Sequence, residues 1–338
     1  MEYRFVGKTG VQVSALCFGT LSFEYASDEQ ACAALFRRSR EAGINFFDVA
    51  NVYANGRAEE ILGRLMAGCR DDLVIASKVG FPTSGEVNAR GLSRRHIMMA
   101  VQASLKRLRT DYLDFYFLHT FDANTPIEET LRALDDLVRQ GKVLYLGVSN
   151  WAAWQIALAL GISAREGLAP FHCVQPMYNL VKRQAEVEIL PLAQAARLGV
   201  VSYSPLGGGL LTGKYTTKSR PDQGRLVDYE LYAKRYSDPI YCEIAERFAA
   251  HAREREVHPA TLGVAWVMSH PAVTAPIIGA RNLEQLETVL DAPGVDITPD
   301  WRAEISALSI EPPPATDRSE ERAGIVYRDD TAASTDRQ

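Results

Sequence analysis

The chain has 338 residues, 47% hydrophobic and 23% charged, the balance of a globular protein with a large core. A formal net charge of -5, with no Lys/Arg run interleaved with aromatics, argues against a polyanion-binding surface, so nucleic acid is not an expected partner. No basic leader followed by an apolar stretch is present and no apolar run approaches the length of a membrane span, so the expectation is a cytoplasmic protein without a membrane partner.

In chain order, the opening YRFVGKTGVQVSAL alternates apolar and polar positions around Gly7-Lys8-Thr9-Gly10 and predicts a β-hairpin. Eight short runs rich in β-branched and aromatic residues follow, near Ala15–Phe18, Asn45–Asp48, Leu73–Lys78, Tyr112–His119, Val143–Val148, His172–Gln175, Gly199–Tyr203 and Ala275–Ile278. Between them apolar residues recur at three- and four-residue spacing, as in Ser93–Leu108, Pro126–Arg139 and Trp151–Ala164, which predicts helices. No Pro/Gly/Ser-rich linker divides the chain. The pattern therefore predicts one α/β domain over residues 1–310, a closed (β/α)8 TIM barrel whose bottom the hairpin caps. Residues 311–338 are polar and aperiodic and read as an irregular tail, in which Ile325-Val326-Tyr327 could fold back over a pocket. Cys17, Cys32, Cys69, Cys173 and Cys242 show no C-x-x-C spacing and the six histidines no H-x-x-x-H pair, so reduced thiols and no metal are expected.

Four residues of the kinds that proton-coupled hydride chemistry needs stand at or just after strand ends: Asp48 and Tyr53 in FFDVANVY, Lys78 in IASKVG and His119 in YFLHTFD. Taken singly, each has an ordinary reading as a cap, a half-buried aromatic, an ion-pair partner or a core imidazole. Barrel closure brings adjacent strand ends around one mouth, and the joint placement favours chemistry. Tyr53 would protonate a substrate oxygen, Lys78 would steady the phenolate, Asp48 would hold the ammonium, and His119 would donate a hydrogen bond to the same oxygen.

FFDVANVY, IASKVG, YFLHTFD, LGVSN, SYSPLGGGLLTGKY and IIGARNLEQLE, in that order, resemble the motifs of the aldo-keto reductase family over about residues 1–310. The resemblance implies the (β/α)8 barrel, NADPH as hydride donor in preference to NADH, reduction of aldehydes or ketones to alcohols, and Asp48, Tyr53, Lys78 and His119 as the catalytic set. It places Ser149, Asn150 and Gln175 on the nicotinamide carboxamide and Tyr203 on the ring. Ser149-Asn150 also reads as an N-cap before a helix. Gly19, Thr20, Ser204, Pro205, Leu206, Gly208, Lys214, Ile278, Gly279, Arg281 and Gln285 complete the expected cofactor site.

Gly208 to Lys214 nearly spells a phosphate-loop motif, but Tyr215 stands where a Ser/Thr hydroxyl is needed, so triphosphate hydrolysis is a weak reading. The charge- and tyrosine-rich segment from Thr216 to Pro239 exceeds an ordinary barrel loop and reads as a clasp over the dinucleotide or a solvated loop. Gly279-Ala280-Arg281-Asn282 opens a helix whose N–H groups and arginine suit a 2′-phosphate. Thr288-Val289 departs from the family's usual acidic residue and asparagine, which bears on the adenine contacts and on the NADPH preference.

Phe23, Tyr25, Phe81, Phe121 and Trp151 are candidate substrate walls and suggest an apolar or aromatic carbonyl compound. A monomer is the family-based default. Two other function classes remain: a nucleotide-binding redox sensor or regulatory subunit resembling potassium-channel beta subunits, and a proton-transfer barrel enzyme that uses no nicotinamide.

Overall fold

The computed structural model describes residues 1–24, 28–217 and 219–318. Tyr25 and Ile325-Val326-Tyr327 lie outside the described residues. The hairpin is present: β1 (Tyr3–Phe5) pairs antiparallel with β2 (Gln12–Ser14), with Tyr3 opposite Ser14. Eight parallel strands follow, one at each predicted run: β3 (Cys17–Gly19), β4 (Phe46–Asp48), β5 (Val74–Val79), β6 (Leu113–Leu118), β7 (Val143–Ser149), β8 (Phe171–Gln175), β9 (Gly199–Val200) and β10 (Ile277–Ile278). They are hydrogen-bonded in the order β10-β3-β4-β5-β6-β7-β8-β9. The sheet ends meet through the N–H groups of Ala275 and Ile277, which donate to the carbonyls of Val200 (3.2 Å) and Ser202 (2.8 Å). The barrel is thereby closed.

Helices alternate with the strands. α1 (Glu29–Glu41), α2 (Arg57–Leu65), α3 (Arg94–Leu108), α4 (Ile127–Arg139), α5 (Ala153–Glu166) and α6 (Ile189–Ala195) precede β4 through β9 in turn. Four more, α7 (Arg225–Asp228), α8 (Glu230–Arg235), α9 (Pro239–Glu254) and α10 (Pro259–Met268), separate β9 from β10, and α11 (Leu283–Leu290) and α12 (Pro299–Ala307) follow. Their starts are written in the sequence: Asp28, Ser93 and Asn282 each accept from the N–H three residues on, satisfying donors that the first helical turn leaves free.

Two apolar cores form, because strands buried on both faces have side chains on both sides. The larger lies between strands and helices. The smaller fills the barrel with Cys17, Phe46, Val74, Phe115, Phe117, Cys173 and Val201, and hairpin residues Val6 and Val13 join it. The Lys8 N–H donates to the Arg197 carbonyl just before β9, which ties the hairpin to the N-terminal end of the barrel, the end away from Asp48 and His119. Among the described residues no helix is long and apolar enough to cross a membrane.

Candidate active site

Asp48 is the last residue of β4 and Lys78 the fifth of β5; Asp48 lines the C-terminal mouth of the barrel, and Lys78 is buried against it. The Lys78 ammonium is wholly buried and donates to Asp48 Oδ2 (2.5 Å), to the Val49 carbonyl (3.0 Å) and to Tyr53 Oη (3.0 Å). Tyr53 opens a turn in which Ala54 and Asn55 take left-handed φ values of 49° and 55°, a sparsely populated conformation for residues with a Cβ. The other Asp48 oxygen accepts from Gln175 Nε2 (2.8 Å), so one carboxylate links β4, β5 and β8.

His119 follows β6. Its ring meets Tyr53 edge-on at 5.9 Å between centroids, and Phe81 covers it at 4.6 Å. The His119 carbonyl accepts from Asn150 Nδ2 (2.8 Å), Asn150 Oδ1 accepts from Tyr203 Oη (2.7 Å), and the Ser149 hydroxyl donates to the Gln175 carbonyl (2.8 Å). Asp48, Tyr53, Lys78, His119, Ser149, Asn150 and Gln175, predicted from five strand ends, are thus joined in one chain of hydrogen bonds, completed by Asn150 Nδ2 donating to Ser149 Oγ (3.2 Å), with Tyr203 at its edge.

Burial sets the protonation of this group. It pushes the Tyr53 phenol up to about 12, with Asp48 pushing the same way and Lys78 only partly offsetting them. Burial would lower Lys78, but Asp48 and Tyr53 outweigh it and hold the ammonium above its ordinary value. His119 lies well below the usual imidazole range because of burial and the Lys78 charge, so its ring is neutral at pH 7. A buried proton donor, a fixed cation and a neutral imidazole stand together.

The mouth continues into a cleft of about 840 Å³ lined by Asp48, Tyr53 and His119, with Lys78 buried behind them, and by every predicted cofactor residue except Thr20. Thr20 is fully buried and donates from Oγ1 to the Asp48 carbonyl (3.0 Å), which makes it a support for β4. Gly208 and Gly209 have φ values of 70° and 100°, which a side chain would strain, and a Cβ on Gly209 would lie 3.6 Å from Lys214 Nζ. Lys214, Arg225 and Arg281 gather beside this loop. Lys214 is lowered by burial and by the repulsion of Arg281 and Arg225, and Asp228, 3.7 Å from Arg281, only partly offsets them. Three cations around one carboxylate, next to backbone that a phosphate can approach closely, fit a phosphorylated dinucleotide. The amide and hydroxyl set at Ser149, Asn150 and Gln175 fits a carboxamide at the other end.

The reading of Ser149-Asn150 as an N-cap is not met. Asn150 takes φ 58°, and α5 begins at Ala153 behind Ala152, whose N–H donates to Gln155 Oε1 (2.8 Å). Of the predicted substrate walls among the described residues, only Phe81 lines the cleft. Phe23 is buried against Phe18, and Trp151 is buried between Phe121 and Phe171, facing a separate cavity of about 200 Å³. Their large apolar rings found the core, the commoner fate of such residues. Tyr229, Tyr232 and Arg235, which line the cleft, were not singled out in the sequence; the only signal was the length and tyrosine content of their segment.

Comparison with known proteins decides the family. The model of the "Aldo/keto reductase family" matches residues 15–310. The chain belongs to the aldo/keto reductase family. It is 39% identical over 306 residues to a "Probable voltage-gated potassium channel subunit beta" of Arabidopsis thaliana, covering 88% of this chain and 92% of the relative. Identity and coverage are the same for a protein of that description in Oryza sativa subsp. japonica. An "Uncharacterized oxidoreductase YrpG" of Bacillus subtilis (strain 168) is 37% identical over 303 residues, covering 86% of this chain and 91% of its own length.

Proposed function

We propose that this aldo/keto reductase reduces a small apolar or aromatic aldehyde or ketone to the alcohol, with NADPH as cofactor and Tyr53 as general acid. The observation that carries the reading is the Asp48–Lys78–Tyr53 chain of hydrogen bonds facing a dinucleotide-sized cleft. Bound in the cleft, reduced nicotinamide would supply hydride to the carbonyl carbon.

The residues handle the proton and the charge. As the carbonyl oxygen becomes negative, Tyr53 Oη gives it a proton, and the phenolate left behind stands 3.0 Å from the Lys78 ammonium. An unassisted phenol this deeply buried would be too weak an acid, so the adjacent cation is what makes the transfer feasible. Neutral His119 donates to the same oxygen and orients the carbonyl between the two donors. In the reverse direction the phenolate takes the alcohol proton. Ser149, Asn150 and Gln175 would hold the carboxamide, Tyr203 would back the ring, and Lys214, Arg225 and Arg281 would bind the phosphates, which supports NADPH over NADH.

A second reading, a nucleotide-binding sensor or regulatory subunit, is favoured by the 39% identity to the two proteins described as channel beta subunits. It shares the cofactor cleft and differs in needing no turnover. The test of both is oxidation of NADPH by purified protein across aromatic and aliphatic aldehydes and ketones, beside Tyr53→Phe. Carbonyl-dependent oxidation supports the reductase; tight NADPH binding with no oxidation by any carbonyl supports the sensor.

A further inference from the structure

Helix α8 (Glu230–Arg235) hangs over the cleft and turns Tyr232 and Arg235 into its wall. The Tyr232 ring packs on the glycine loop: a Cβ on Gly208 would lie 3.1 Å from Tyr232 Cδ1. Two guanidinium groups stack on this ring, Arg225 at 5.2 Å and Arg235 at 5.0 Å from its centroid. They serve different neighbourhoods. Arg225 stands with Lys214, Arg281 and Asp228 at the phosphate end, whereas Arg235 is followed by Tyr236, whose hydroxyl accepts from Asn179 Nδ2 (3.1 Å), and the same amide donates to the Ser204 carbonyl (2.8 Å) next to Tyr203, at the reacting end. The cleft's other carboxylates besides Asp48 are Glu24, Glu230 and Glu284, and among the described residues Arg235 pairs with none of them. A half-buried guanidinium has lost part of its hydration and, with no carboxylate opposite, has a planar fork of donors unused.

We propose that the substrate is an aromatic or apolar carbonyl compound carrying a carboxylate at the end away from the carbonyl, and that Arg235 binds that carboxylate. This rests on the carbonyl-reductase reading above and adds the substrate's charge. Phe81, packed on His119, and Tyr232 cover the apolar body between the two polar ends. The carbonyl stays at Tyr53 and His119.

The test compares kcat/KM of the NADPH-loaded enzyme for 4-formylbenzoate and for benzaldehyde, which differ only in the carboxylate. Wild type favours 4-formylbenzoate by roughly 10- to 100-fold, the value of one charge-assisted hydrogen-bonded contact. Arg235→Gln brings the ratio close to one, Arg235→Lys retains part of it, and NADPH affinity, read by fluorescence quenching, persists in both. Equal kcat/KM for the two aldehydes in wild type overturns the inference. So does an Arg235→Gln variant that keeps the ratio, or one that weakens NADPH binding, which would assign the guanidinium to the cofactor. If neither aldehyde is reduced, the reductase reading is judged on the wider carbonyl panel and Arg235 on binding. Calorimetric titration of benzoate into NADP⁺-loaded protein then decides the role of Arg235: tighter binding to wild type than to Arg235→Gln supports it, and equal binding overturns it.

Discussion

Lys78 has no contact with water, and everything that keeps it charged is within 3.0 Å: one carboxylate, one carbonyl and one phenol. Removing one member of a buried ion pair strands the other, at a cost of about 3–5 kcal/mol. Lys78→Met is therefore expected to lower the unfolding free energy by about that amount, measured by urea titration. Adding Asp48→Asn should recover a large part of the loss, because the amide needs no cation. A Lys78→Met protein as stable as wild type would contradict this account of the pair. These residues were legible in the sequence only through their joint placement at neighbouring strand ends, since each alone has an ordinary reading. Thr20 was legible as a site residue but not as a support, since its hydroxyl turns back onto the Asp48 carbonyl. Tyr232 and Arg235 were not legible individually: they sit in α8, whose six residues show no apolar period, and only tertiary packing points them at the cleft.

At the scale of elements, the strands were visible because burial on both faces leaves continuous apolar runs, and the helix starts because capping residues announce them. What the runs did not show is how the barrel interior is filled. Phe117 on β6 pairs in register with Gly147 on β7, and a Cβ on Gly147 would lie 2.3 Å from the Phe117 ring. The glycine is the space the ring occupies, a role the motif LGVSN does not reveal. Gly147→Ala should destabilise the protein by about 1–3 kcal/mol through overpacking, read as a lower midpoint in chemical denaturation. Phe117→Leu in the same chain should restore part of it. An alanine tolerated without loss would mean the ring can leave its place freely. Within the segment from Thr216 to Pro239, α7 and α8 line the cleft through side chains the sequence did not single out.

Over the whole molecule, closure by the Ala275 and Ile277 N–H groups makes one continuous ring of strands, with His119 buried and His172 and His270 half-buried within or against it. His172 and His270 are each held down at about 4, chiefly by burial, with the positive charges of Lys8 and Arg302 respectively adding to it, and His119 lies well below 6.5. The unfolded chain takes up these protons from about pH 6.5 downward while the folded chain does not. Folded pKa values below the unfolded ones mean stability present above pH 6.5 and lost as pH falls. At about 1.4 kcal/mol per pKa unit, several kcal/mol are withdrawn between pH 6.5 and 4. Thermal unfolding should show Tm falling already between pH 6.5 and 5, above the carboxylate range, with a shallower fall in His172→Gln/His270→Gln. A flat Tm over that window would contradict the assignment.

The central claim, that this aldo/keto reductase passes a proton from Tyr53 to a carbonyl oxygen beside Lys78, is tested most directly by Tyr53→Phe. That variant deletes one oxygen and leaves the Asp48–Lys78 pair in place. Carbonyl-dependent NADPH oxidation should fall by about 10²- to 10⁴-fold, the contribution of a positioned general acid, while NADPH binding by fluorescence is retained. Turnover that survives the loss of the phenol would show that another group delivers the proton.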